Sequence, residues 1–215
     1  MLISTGKRFI FVANTKTAST SIEHVLSRHA DYRHEGSSQR KHIPLCEIEA
    51  AVPQLFAEAG NSLESYFCFG VMREPVEWIR SWFRYRSGNK VESPLPASMT
   101  FADFWKKRDW NIQRSNGRVF QQSDMFNDRK GATITDVIIP YDRMDEYAAQ
   151  IFGLLGVNYS LPKKNVSVIR EDNDPLDPGL IAEMHEHYKT DYALYDRLDS
   201  INAVGMEKLR HMATK

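Results

Sequence analysis

Only two cysteines occur in 215 residues, Cys46 and Cys68, too few for a disulfide framework. No Cys-x-x-Cys or His-rich spacing accompanies them, so no metal site is expected. An excess of charge is also lacking: Lys plus Arg and Asp plus Glu are both 28. That balance excludes a general pull toward nucleic acid or acidic membranes, so any anion site has to be local. Nowhere do about 18 apolar residues run together, and no membrane span is expected. Met1 to Lys7 leads into a strand-like segment without a basic region and an apolar core after it, so no signal peptide is expected. These absences lead to the expectation of a reducing, cytoplasmic setting. What is present is ordinary globular composition, 42% hydrophobic and 26% charged, without repeat, low-complexity tract or linker. A single domain over residues 1–215 is the expectation.

Arg8 to Ala13 is a short apolar run rich in strand formers, followed by the polar stretch Asn14 to Ser21. Ile22, Val25 and Leu26 then fall at helical spacing, giving strand, loop, helix. Residues 30 to 44 read as loop, and a helix is predicted from Leu45 to Glu58 with an irregularity at Pro53. Tyr66 to Met72 is a second buried strand, broken by Arg73-Glu74-Pro75, and Val76, Ile79, Trp82 and Phe83 mark the helix after it. Residues 87 to 118 are the least decipherable, read as a lid or acceptor-site segment. Asp136 to Pro140 is a third strand, and Met144 to Leu155 a helix with Gly156 placed as its C′ residue. A final helix is predicted from Asp177-Pro178 toward Tyr192. This alternation argues for an α/β domain with a mainly parallel central sheet flanked by helices in three layers.

In such sheets ligands bind beyond the carboxyl ends of the strands. The first of these ends carries Lys16-Thr17-Ala18-Ser19-Thr20-Ser21. Backbone N–H groups at a helix start face outward, Lys16 adds a mobile charge, and Thr17, Ser19, Thr20 and Ser21 add hydroxyl donors. The composition is that of a phosphate cradle, although a capped helix with an exposed lysine has the same composition. It is not the loop of nucleoside triphosphatases, which needs Gly-x-x-x-x-Gly-Lys-Ser/Thr. The second strand end offers Arg73, whose fork suits a phosphate, Pro75 to start the helix, and Ser81 about two turns on, facing back along it.

Both elements resemble those of sulfotransferases that use 3′-phosphoadenosine 5′-phosphosulfate (PAPS). Lys16 to Ser21 is similar to that family's Lys-x-Gly/Ala-Ser-Thr-Ser loop, and Val71 to Phe83 to its Val-x-Arg-Asp/Asn-Pro-x-x-x-x-x-Ser-x-Tyr/Phe segment. Ile139 to Met144 with Leu154 to Val157, Asn165-Val166-Ser167, and Tyr188-x-x-Asp191-Tyr192-x-x-Tyr195 resemble later segments of the Golgi-type and bacterial branch. The resemblance implies the sulfotransferase variant of the P-loop architecture. It implies that Thr17, Ala18, Ser19, Thr20 and Ser21 hold the 5′-phosphate, that Arg73 and Ser81 hold the 3′-phosphate, and that Ser167 also belongs to the cofactor site. Lys16 would both bind and neutralise the leaving phosphate. The resemblance further implies PAPS as co-substrate, with no metal required.

Of seven histidines, His42 stands between the two elements in Lys41-His42-Ile43-Pro44, which resembles the segment carrying the family's general base. An imidazole can take a hydroxyl proton at neutral pH. Glu47 and Glu49 are rivals for that part, and Lys41 has no assigned role. The other histidines suit helix surfaces or tails. The acceptor implied is a carbohydrate or other small alcohol, with Trp82, Tyr85, Trp105 and Trp110 as candidate stacking residues and Arg84, Arg86, Lys106, Lys107 and Arg108 as a candidate cationic face. A nucleotide or small-molecule kinase and a non-catalytic binder of 3′-phosphoadenosine 5′-phosphate (PAP) stand as alternatives. Oligomeric state is left open.

Overall fold

The computed structural model describes residues 1–34, 41–88, 93–108, 120–158 and 176–214. Its centre is set by three apolar runs too short for helices. Strand β2 (Phe9–Val12) pairs in parallel with β4 (Phe67–Met72), and β4 pairs in parallel with β5 (Val137–Pro140). All three are buried on both faces, which is why their sequences are continuous rather than alternating apolar runs. The registers Val12↔Gly70 and Met72↔Pro140 bring their carboxyl ends to one edge.

The sheet is not parallel throughout. Strand β1 (Leu2–Ser4) runs antiparallel to β2, and β3 (Tyr32–Arg33) antiparallel to β1, giving the order β3-β1-β2-β4-β5. Neither strand was expected as such. Tyr32–Arg33 pairs through two residues only, inside a segment too polar to read as anything but loop.

Side chains alternate between the two faces. Phe9, Phe11, Phe67, Phe69, Val71, Val137 and Ile139 pack with helices α1 (Ser19–Leu26), α6 (Met144–Leu154) and α9 (Leu198–Ala213). Ile10, Val12, Cys68, Met72 and Ile138 pack on the other face, beneath the short helices α2 (Ile48–Ala51) and α3 (Pro53–Phe56), and beneath α4 (Pro75–Arg86), α5 (Phe101–Lys107), α7 (Pro178–His187) and α8 (Lys189–Tyr195). The result is the three-layer α/β arrangement. The helix read over residues 45 to 58 is interrupted where expected: α2 ends at Val52, and Pro53 starts α3 at its first position. Gly156 adopts φ 61 and closes α6, with the Val157 amide donating to Phe152 at 2.8 Å.

The expected final helix is instead α7 followed by α8, and α9 follows both. Its inward positions include Asn202 and Gly205, which carry no hydrophobic signal. Each is there for β5. The Asn202 amide accepts from the Ile138 N–H (2.8 Å) and donates to the Ile138 carbonyl (2.9 Å), satisfying main chain at the outer edge of the sheet. A Cβ on Gly205 would lie 1.9 Å from the Asp136 carbonyl oxygen, so only glycine lets α9 approach β5 this closely. Beside it, Lys208 pairs with Asp136 at 2.8 Å, and Asp136 accepts from the Cys68 amide at 2.7 Å. Because the clash is with backbone, Gly205→Ala should destabilise the protein by about 3 kcal/mol, the upper part of the overpacking range. Denaturant unfolding of the two proteins checks this, and a loss below about 0.5 kcal/mol would show that α9 is not held against β5.

Candidate active site

The loop between β2 and α1 is braced from three directions. The Asn14 side chain is fully buried; its Oδ1 accepts from the Thr15 amide (2.8 Å), and its Nδ2 donates to the Val71 carbonyl and to Gln122 Oε1 (both 3.1 Å). The Trp78 indole N–H donates to the Thr15 carbonyl at 2.8 Å, reaching from α4. The Thr17 hydroxyl turns inward to the Asn14 carbonyl at 3.1 Å, so it braces the loop instead of facing outward. Lys16 and Ala18 adopt left-handed φ of 57° and 54°. For residues with a Cβ that conformation costs about 1 to 2 kcal/mol each, which the bracing contacts sustain. Among the described residues, the amides of Lys16 to Thr20 donate to no partner. A run of free N–H groups at the start of α1 has the donors that a bound anion would need.

Arg73 follows the last residue of β4, and its peptide is gripped by Gln122: its N–H donates to Oε1 (3.1 Å) and its carbonyl accepts from Nε2 (2.8 Å). The guanidinium stacks 3.7 Å over the Tyr141 ring and reaches the Lys16 carbonyl at 3.4 Å. The Lys16 ammonium lies 3.7 Å from the Tyr85 ring centroid and 5.4 Å from that of Trp82. Burial, with Arg73 and Arg84 nearby, pulls its pKa down from 10.5 to about 8. Burial lowers that of Arg73 as well.

Ser81 is buried on α4, one turn from Trp78 and one from Tyr85, hence on the helix face turned toward the loop. Glu74 caps α4 by accepting from the Glu77 amide (2.7 Å) and accepts the Tyr192 hydroxyl from α8.

His42 lies directly against the loop. Its Nδ1 is 2.6 Å from the Ala13 carbonyl oxygen. A carbonyl only accepts, so Nδ1 carries the hydrogen and Nε2 keeps a lone pair. Burial, above all, holds its pKa below 6.5, with the Ala13 carbonyl opposing and Lys41 assisting. Lys41 itself is tied to α1, 2.6 Å from Glu23 Oε2 and 3.4 Å from the Thr20 hydroxyl. Glu47 and Glu49 are exposed, on the outer side of a segment whose Leu45 and Ile48 enter the core.

The structure therefore brings Lys16, the 17–21 loop, Arg73, the loop-facing side of α4 and His42 to the carboxyl edge of the parallel strands. Ser167 and Trp110 lie outside the described residues. Trp105 is core, and Arg108 lies over it and pairs with Glu183, so neither belongs to this edge. Sequence reasoning missed Asn14, Trp78, Gln122 and Tyr141. Gln122 had no local signal, since it sits in a 3₁₀ turn (Gln122–Met125) remote in the chain from what it holds. Asp191, quoted only as part of a resemblance, is fully buried and accepts from the Gln122 (3.0 Å) and Ser123 (2.8 Å) amides. Burial raises it to about 6 against the pull of those hydrogen bonds.

Free amides, two neighbouring cations and an imidazole lone pair suit a ligand with several anionic groups and a reaction that removes a proton. Among the described residues, no cluster of His, Cys, Asp or Glu is arranged to hold a metal ion, and no helix is long and apolar enough to cross a membrane. Neither a curated protein nor a solved structure matches the chain. The family model described as the sulfotransferase family matches residues 1–196, a stretch that contains the braced loop, His42 and Arg73 with its helix, and the chain belongs to that family of sulfuryl-transferring enzymes.

Proposed function

We propose that the protein transfers the sulfuryl group of PAPS, the donor its family generally uses, to a hydroxyl of a carbohydrate or other small alcohol. The observation that carries this reading is the pair of cationic elements, Lys16 with the free loop amides and Arg73 at the head of the helix that bears Ser81, at one edge of the sheet where His42 packs against the Ala13 carbonyl. The loop amides hold the 5′-phosphate, and Arg73 and Ser81 hold the 3′-phosphate. His42 Nε2 takes the proton of the acceptor hydroxyl, whose oxygen bonds to sulfur while the sulfur–oxygen bond to the 5′-phosphate breaks in line. Lys16 neutralises the negative charge that grows on the phosphate oxygen, a stabilisation largest in the transition state. Tyr85, 43% exposed beside the Lys16 ammonium, supports a ring-bearing acceptor.

PAP should raise the melting temperature far more than adenosine 5′-phosphosulfate, which lacks the 3′-phosphate. At about 100 times the dissociation constant the stabilisation by PAP should be near 2.7 kcal/mol. Equal shifts from both nucleotides would remove the second anion site.

Lys16 gives the alkaline side of the pH profile. Its ammonium is charged below about pH 8 and loses its proton above, so kcat/KM for PAPS should fall as pH rises past that value. Lys16→Arg, whose charge persists, should abolish that limb, and Lys16→Ala should lower kcat more than PAP affinity. An alkaline limb surviving in Lys16→Arg would assign it to another group.

His42 gives the acid side. Its pKa lies below 6.5, so turnover should fall only below that pH, as Nε2 gains a proton. His42→Ala should lower kcat by roughly 10²- to 10⁴-fold, remove the acid limb and leave PAP affinity nearly unchanged. Were the limb to persist in His42→Ala and vanish in Glu47→Gln or Glu49→Gln, the base would be that carboxylate.

A further inference from the structure

Gln122 belongs to neither anion-binding element, yet it touches both. The main chain of Arg73 dictates which way its amide points: an N–H needs the oxygen and a carbonyl needs the nitrogen, so only one orientation satisfies the two bonds at 3.1 and 2.8 Å. The same oxygen accepts from Asn14 Nδ2 at 3.1 Å, and Asn14 in turn anchors the 5′ loop through the Thr15 amide and its own carbonyl. One fully buried amide thus spans the ends of β2 and β4 where their ladder stops at Val12↔Gly70. Gln122 is itself immobilised from behind, its N–H on one oxygen of Asp191 and the Ser123 N–H on the other. Asp191 comes from α8, the helix whose Tyr192 also holds Glu74 next to Arg73.

We infer that Gln122 is a positioning residue of the sulfotransferase site, setting the separation between the Lys16 loop and Arg73 and thereby the preference for a nucleotide with phosphates at both its 3′ and 5′ positions. The inference rests on the assignment of Arg73 to the 3′-phosphate. Gln122 does not contact the nucleotide; without it the Arg73 peptide loses both partners beyond the end of the strand. The guanidinium then keeps its contact with Tyr141 and the long 3.4 Å bond to the Lys16 carbonyl, but the main chain that carries it is no longer fixed.

The test compares affinities of the full chain for PAP and for adenosine 5′-monophosphate by calorimetry. The variants are Gln122→Met, which keeps the volume, and Gln122→Asn, which keeps the amide but is too short to span. Gly205→Ala is the control, because it disturbs the opposite end of the sheet. Wild type should favour PAP, and each Gln122 variant should reduce the PAP-to-monophosphate ratio about tenfold while the monophosphate affinity changes little. The control should unfold earlier with its ratio intact. A folded Gln122 variant with an unchanged ratio, or one losing both affinities equally, overturns the inference. If one variant fails to fold, the other decides. A wild-type protein indifferent to the 3′-phosphate overturns the assignment of Arg73 itself, and the inference with it.

Discussion

Strands β2 and β4 lie side by side and parallel, in the register Val12↔Gly70, and most of what the site contains follows from that pairing. Parallel neighbours end at the same edge, so the loop after Val12 and the arginine after Met72 leave the sheet as neighbours although some 60 residues of chain separate them. The intervening chain covers one face with α1 and the other with α2 and α3, and between them it carries His42 past the carbonyl of Ala13. An antiparallel pairing would have sent the two cationic elements to opposite ends. The ladder brings them near each other but does not orient them, because hydrogen bonding between the strands ends where the functional residues begin. Asn14, Gln122 and the Trp78 indole continue the bonding in side-chain form, and that continuation turns a sheet edge into a rigid site.

Positive charges held close in a partly buried site repel one another, and the pKa of Lys16 is lowered first by burial and then by Arg73 and Arg84. Carboxylates could relieve that repulsion only by neutralising the charge that an anionic ligand needs. Aromatic faces relieve it differently. Tyr85 and Trp82 attend Lys16, and Tyr141 attends Arg73, each giving an attraction of about 0.5 to 2 kcal/mol while leaving the net charge in place. Of the carboxylates nearby, Glu77 pairs instead with Arg80 and Arg84 along α4, and Glu74 caps that helix and accepts the Tyr192 hydroxyl. The left-handed backbone at Lys16 and Ala18 is a second, steric tension, sustained by the contacts of Asn14, Thr17 and Trp78 that brace the loop.

The other end of the sheet solves a different problem. An outermost strand exposes unpaired main chain, and α9 covers β5 by placing an amide on Ile138 and a glycine on Asp136. Neither residue would be chosen for burial by hydrophobicity, and together they let a helix lie close against the amino-terminal end of β5, away from the carboxyl edge that carries the site.

Much of this was legible along the chain. Three apolar runs of strand length, each followed by a helical period, state an α/β domain, because periodicity records which faces are buried. Lys16 to Ser21 and Arg73 to Ser81 stood out in the sequence for a local reason: donors that would hold an anion at a strand end lie adjacent in sequence, on one turn and one helix start. The proline at 53 and the glycine at 156 announced their breaks by backbone restriction alone. What the chain did not disclose are residues whose meaning is a distant partner. Gln122 is an ordinary polar residue until folding sets it between Asn14 and Arg73. Asn202 and Gly205 hide a helix because they serve a strand's edge and not a core, and Tyr32 forms a strand only because Ile3 offers it an edge. Composition and period carry the local preferences of the backbone. The place of His42 against the Ala13 carbonyl, the exposure of Glu47 and Glu49, and the spacing of the two cationic elements came only with tertiary contact, because a hydrogen bond across the fold leaves no trace in the order of residues.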